Sequence, residues 1–174
     1  MQTTPLPEGW FLAGSHPGDY EAGITLDAVD GKAAAYLRAR VPSGGFGTMM
    51  QQFKPDAYRG RRLRLAALVR SEGVERWAGL WMRVDGTGRR SLAFDNMQNR
   101  GITGTTDWTP YNVVLDVAER ESTLIAFGAL LSGAGQIWIA GVRIEPVGPE
   151  VPSTGGPRLR DHPINLDFTP PSAG

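Results

Sequence analysis

Every second residue is apolar in three separate stretches, and that period of two limits this chain more than any other feature. In LRLAALV, Leu63, Leu65, Ala67 and Val69 fall on one side while Arg62, Arg64 and Arg70 fall on the other. WAGLWMRVD puts Ala78, Leu80, Met82 and Val84 together, opposite Gly79, Trp81, Arg83 and Asp85. YNVVLDV aligns Tyr111, Val113, Leu115 and Val117, with Asn112 and Asp116 turned away. Side chains alternate faces in an extended strand but recur every 3.6 residues in a helix, so these stretches read as half-buried strands. Further strands are predicted over 33–41, 48–53, 91–95, 124–131 and 136–145, and no segment carries a convincing helical period. Turn residues punctuate them at Asp30-Gly31, Ser43-Gly44-Gly45, Tyr58-Arg59-Gly60, Asp85-Gly86 and Ser132-Gly133, as in antiparallel all-β folds. Residues 124–131 are apolar on both faces and predict a central strand, whereas the wet face of 62–70 places that segment nearer an edge. Strands with one apolar face bury it by stacking, so the expected architecture is a two-sheet antiparallel sandwich.

Proline marks the limits of the folded unit. Seven of the 13 prolines lie between Pro146 and Pro171 among glycine, serine and threonine, a composition that cannot build a core alone. The domain is therefore expected over 9–147, between an N-terminal extension (1–8) and a Pro/Gly-rich tail (148–174). Within that tail, Ile164 to Phe168 alternates apolar and polar residues, which predicts a docking strand (164–168) against the domain or a partner. With 174 residues in all, one core suffices.

Charge and composition exclude several functions. Eighteen basic and 18 acidic side chains cancel, which removes the electrostatic footprint of a nucleic-acid binder. The cluster Arg59, Arg61, Arg62, Arg64 and Arg70 reads instead as a solvated strand face or as edge protection. Without cysteine there is no disulfide and no thiolate metal site, and His16 and His162 are the only imidazoles. No run approaches about 18 apolar residues, and the N-terminus lacks a basic start followed by an apolar stretch. Neither a membrane span nor an export signal is expected, which points to a cytoplasmic location.

The order of segments resembles the jelly-roll sandwich of the galactose-binding-like superfamily, shared by many carbohydrate-binding modules. The resemblance rests on GW near the start, VDGKAAAYL, YRGRRLRLAALV, DWTPYNVVLDV and IAFGALLSGAGQIWIAGVRIEPV, and covers residues 9 to 147. WAGLWMRVDG and SLAFDNMQNR are similar to a bacterial module associated with transcription factors of the arabinose-regulator type. The resemblance implies an accessory or sensory domain, here without a basic helix-turn-helix segment. Some relatives bind a structural calcium. Where many of them carry an acidic residue after the aromatic strand, this chain reads Ile139-Ala140-Gly141, so no cofactor is expected, with calcium on Asp19, Glu21, Asp27 and Asp30 left as an alternative.

Candidate binding residues follow from the alternation. Trp81 and Arg83 project from the non-core face, where an indole needs a cover. Either a sugar ring stacks there while the guanidinium donates to hydroxyls, or a loop or the Phe168 segment covers it. Asp95, Asn96, Gln98 and Asn99 form a dense run of amide and carboxyl groups suited to reading hydroxyls, or to closing a polar turn. One of Gln51 and Gln52 is expected on the Trp81 side, and the candidate ligand-binding set is Trp81, Arg83, Asp95, Asn96, Asn99 and Gln51. Trp77, Trp108 and Trp138 read as core, and Trp10 as an anchor for the N-terminus.

Catalytic patterns are thin. There is no Gly-x-Ser-x-Gly elbow, neither histidine adjoins a nucleophile turn, and Ser43 to Gly47 lacks the lysine and helix of a phosphate loop. A carboxylate pair drawn from Asp85, Asp95, Asp107, Asp116 and Glu145 is the remaining enzymatic arrangement. The sequence thus favours a non-catalytic module for a saccharide or similar hydroxyl-rich small molecule. A protein-interaction or sensory accessory domain, self-association included, is the alternative, and a glycan-acting enzyme the third reading. Neither nucleic acid nor membrane is an expected partner.

Overall fold

The computed structural model describes residues 3–155, 163, 165–168 and 170. Ten strands run through it in chain order: β1 (Thr3–Thr4), β2 (Phe11–Gly14), β3 (Tyr20–Val29), β4 (Lys32–Ala39), β5 (Phe46–Phe53), β6 (Arg62–Gly86), β7 (Ser91–Asp95), β8 (Ile102–Asp116), β9 (Ser122–Ser132) and β10 (Gln136–Val147). Each pairing between them is antiparallel. No α-helix occurs among the described residues, only short 3-10 turns.

The 25-residue β6 links two layers. Its first half pairs with β10 and β8, and its second half with β9 and β7. Between Val69 and Ala78 its register with β8 slips three times, which is how a strand bends from one sheet into another. One layer is then β1-β3-β4-β10-β6-β8, and the other is β2-β5-β9-β6-β7. Leu37, Leu63, Leu65, Val113 and Ile137 of the first layer meet Met49, Leu80, Met82, Ile125 and Leu131 of the second, all at 1% exposure or less. Burying each such side chain is worth roughly 1.5–3 kcal/mol, so this interior is what holds the two layers together.

The apolar sets read from the three alternating stretches all lie in this interior. Residues 124–131 form a central strand, β9, between β6 and β5. Residues 62–70, expected nearer an edge, are interior as well, because β10 and β8 flank them. Their wet face is the outer surface of the first layer. Trp138 also departs from expectation. Ile137 and Ile139 point inward at 0% and 3% exposure, and Trp138 lies outside beneath the Arg70 guanidinium, 5.1 Å from its ring centroid. A bulge between Ala140 and Arg143, with Gly141 at φ +61°, reverses the phase, so that Ile144 packs on the core again.

Both ends of the domain extend past the expected limits of 9–147. Thr3 and Thr4 pair with Thr25 and Ile24, and Leu6 packs against the core. Trp10 meets Phe127 edge-on at 5.5 Å, in keeping with an anchoring role. At the other end, the Thr154 N–H donates to the Val114 carbonyl at 2.8 Å, and Arg62 Nη1 donates to the Val151 carbonyl at 2.7 Å. The docking strand expected over 164–168 is not formed by its described part. Leu166 and Asp167 make a turn, Leu166 and Phe168 are 74% and 88% exposed, and Ile164 lies outside the described residues.

Candidate functional site

Since the interior takes Ala78, Leu80, Met82 and Val84 of β6, the alternate residues Trp77, Gly79, Trp81 and Arg83 face outward from the second layer. Their neighbours on that face are Ala126, Gly128 and Leu130 of β9 and Thr48 and Met50 of β5. Met50, Trp81, Ala126 and Leu130 make a second apolar cluster, separate from the main core, with Ala13 and Trp77 packed on it. This face carries a cavity of about 490 Å³. Ala13, Gly14, Phe46, Thr48, Met50, Trp77, Trp81, Arg83, Phe94, Asn96, Leu130 and Ser132 line it. Its size and its mainly apolar wall with few polar groups are those of a small-molecule site.

Trp81 is the floor. It is 6% exposed, and its indole N–H donates to Thr48 Oγ1 at 2.8 Å, while the Thr48 hydroxyl donates to the Ala129 carbonyl at 2.8 Å. Gly128 stands opposite Trp81 in β9 and Thr48 lies one strand further, so the indole reaches across a residue without a side chain. A Cβ at Gly128 would also run into the Met49 carbonyl, so this close strand approach requires glycine. The accessible aromatic walls are half-buried Trp77 together with Phe46 and Phe94, which are 37% and 44% exposed.

Arg83 is held from two sides. Its guanidinium lies 5.9 Å from the Trp81 ring centroid, and its Nε donates to Asp85 Oδ1 at 2.8 Å. Phe94 pairs with it across β7. Asn96 enters the cavity wall from the turn after β7, where its Oδ1 accepts the Gln98 N–H at 3.1 Å.

Of the six sequence candidates, the cavity thus gathers Trp81, Arg83 and Asn96. Asp95 is buried on the other side of β7, where it bonds Arg100 Nη2 at 2.6 Å and accepts the Met97 N–H at 2.9 Å. Burial alone would raise its pKa, but Arg100, Thr154 and the Met97 N–H outweigh that and hold the carboxyl below its ordinary range. Asn99 is exposed and accepts from Arg100 Nη1 at 2.9 Å. Gln51 follows Met49 toward the inner side and lies against Gly9, and it is Gln52 that shares a face with Met50. Asp95 and Asn99 therefore brace a turn, and none of Asp95, Asn99 and Gln51 lines the cavity. Trp77, expected in the core, lines it instead. The alternation itself carried that signal, since Trp77 is four residues before Trp81.

No carboxylate pair converges on the cavity, whose lining contains none. Asp85, Asp95, Asp116 and Glu145 are each engaged by an arginine, and Asp107 accepts the Trp108 N–H. Glu145 is held below its usual range by the Arg64 hydrogen bond, which makes it a poor proton donor. Among the calcium candidates, Asp19 accepts from Ser43 and Glu21 from Arg38 and Tyr36, and the Asp27 side chain lies outside the described ones. Among the described residues no three histidine or acidic side chains cluster as metal ligands, and no helix is long and apolar enough to cross a membrane. His16 is exposed beside Ser15, and His162 lies outside the described residues.

No protein-family model matches the chain. Over 167 residues it is 50% identical to an uncharacterized HTH-type transcriptional regulator of Bacillus subtilis, YbfP. That match takes in 92% of this chain and 56% of the regulator, so the chain spans about half the length of its relative. Among solved structures, the CBM22-1 xylan-binding domain of Paenibacillus barcinonensis Xyn10C superposes with a TM-score of 0.56 at 11% identity, covering 83% of this chain and 89% of that one. A Stig cyclase of Fischerella, FisC, solved in complex with a pyrrolidinylidene indole, matches with a TM-score of 0.56 at 17% identity over 84% and 90%. The chain has the all-β jelly-roll sandwich fold of carbohydrate-binding modules, on a sequence shared with part of a bacterial transcriptional regulator.

Proposed function

We propose that this domain is a non-catalytic module that binds a small, hydroxyl-rich, saccharide-like ligand in the cavity on the outer face of its second layer. One observation carries the reading: the cavity combines accessible aromatic walls, a guanidinium and an amide, and holds no carboxylate. Trp77 and Phe94 offer surfaces for the apolar face of a ring, Arg83 and Asn96 offer hydrogen bonds, and Trp81 supports them from below. Such a site recognises without an acid or base. The xylan-binding and other carbohydrate-binding neighbours support the ligand class, and the regulator relative supports a sensory role in which occupancy of the groove informs an attached output domain.

Titration of the chain with a panel of mono- and oligosaccharides, followed by tryptophan fluorescence, tests this. A saturable response that Trp77→Ala weakens is expected, and a flat response across the panel would dismiss the reading. The exposed rim residues Phe46 and Phe94 favour one alternative, in which a partner protein covers the same face. Sedimentation over a concentration series separates the two when that partner is a second copy, because only then does the chain associate without sugar.

A further inference from the structure

Resting on the groove as the ligand site, we propose that its ligand is an acidic saccharide, a hydroxylated ring bearing a carboxylate, and that Arg83 clamps the carboxylate. Arg83 is the one charged side chain lining the cavity among the described residues. Its Nε is committed to Asp85 Oδ1 at 2.8 Å, and no hydrogen bond engages Nη1 or Nη2 among the described residues. The free end of the guanidinium is a pair of parallel N–H donors, the geometry that two carboxylate oxygens match.

The clamp is assembled before the ligand arrives. The guanidinium lies over Trp81, Thr48 fixes that indole in turn, and Asp85, 8% exposed, holds the Nε side without lining the cavity. Little rotamer freedom is then lost on binding. Because Arg83 and Asp85 are formally neutral together, preference for the acid arises from directional bonding at the free end rather than from long-range attraction. A neutral sugar leaves that end to water, whereas a uronate satisfies it with two charge-assisted bonds while Trp77 and Phe94 take the ring face.

Calorimetric titration of the chain with galacturonate, glucuronate and mannuronate disaccharides, each beside its methyl ester, tests the assignment. At least one acid is expected to bind about tenfold or more tighter than its ester. In the double variant Arg83→Met/Asp85→Asn, which strands no carboxylate, the ratio should fall to about one, with folding verified by thermal melting. Arg83→Lys should keep only part of the preference, since an ammonium retains the charge but not the fork. Esters binding as tightly as their acids, a preference surviving the double variant, or no binding by any acid would each overturn the acidic class. Binding of esters or neutral sugars in those cases would leave the groove reading standing, and silence from every sugar would remove both.

Discussion

The two outward faces of this sandwich share only β6 and are built by the same alternation, yet one is closed on itself and the other is open. On the first layer four long cations already have companions. Arg38 bonds Glu21, Arg62 bonds Asp116, Arg64 bonds Glu145, and Arg70 covers Trp138. Glu21 is held below its usual range by the Arg38 and Tyr36 hydrogen bonds, as expected of a carboxylate already satisfied. What remains there is a depression of about 230 Å³ over Ala66 and Leu68. On the second layer Trp81 floors a cavity with aromatic rings in its wall, and among the described residues no hydrogen bond engages the Nη end of the Arg83 guanidinium. Polar content does not distinguish a site from a surface. Unspent bonding capacity beside accessible apolar wall does.

Five substitutions break or sharpen that contrast. Leu131→Ala opens the interior shared by both faces and should cost roughly 2–5 kcal/mol in denaturant unfolding, with the second face losing its ligand response only through global unfolding. Gly128→Ala drives a methyl group into the Met49 carbonyl. A loss of roughly 1–3 kcal/mol is expected, and because Trp81 crosses that residue, ligand binding should weaken even in the folded fraction. Asp95→Asn strips Arg100 of its carboxylate and loosens the turn that carries Asn96, for about 1–3 kcal/mol.

The same variant has a pH signature. A carboxyl with a folded-state pKa below its unfolded value of about 3.9 gives stability that is complete above that value. That stability drains away as pH falls through the lower folded value. Urea melts of the parent from pH 7 to 2 should show this acid loss, and Asp95→Asn should flatten it. Trp77→Ala separates wall from support: affinity should fall about tenfold, or about 1.4 kcal/mol, with little movement of the melting temperature. Smallest of all, Arg38→Ala on the closed face should shift stability by less than about 1 kcal/mol and leave ligand titrations unchanged.

The core was legible in the sequence wherever alternation ran unbroken, as at Leu63 to Val69 and Ala78 to Val84, because burial on one face needs nothing but correct phase. Legibility failed where phase was interrupted or undefined. The bulge after Ala140 adds residues to one strand only, so counting back from Ile144 sends Trp138 inward when it lies outside. In Met49-Met50-Gln51-Gln52 each residue type occurs twice in succession, which leaves the inward pair undetermined until β9 sets it. The corner in β6 hid that two separately read strands are one and that Arg62 to Arg70 is interior. Asp95 and Asn99 illustrate a different limit. Short polar side chains serve equally well to fasten a turn or to greet a ligand, and only the position of Arg100 decides between them here.

One consequence of the long β6 concerns communication. The segment flooring the groove at Trp81 and the segment at Arg62 that grips the Pro149 and Val151 carbonyls are the two arms of one bent strand. On the proposed ligand-binding reading, a shift at Trp81 would reach the Arg62 grip only through the corner between Val69 and Ala78, which makes that corner the mechanical joint between the two layers.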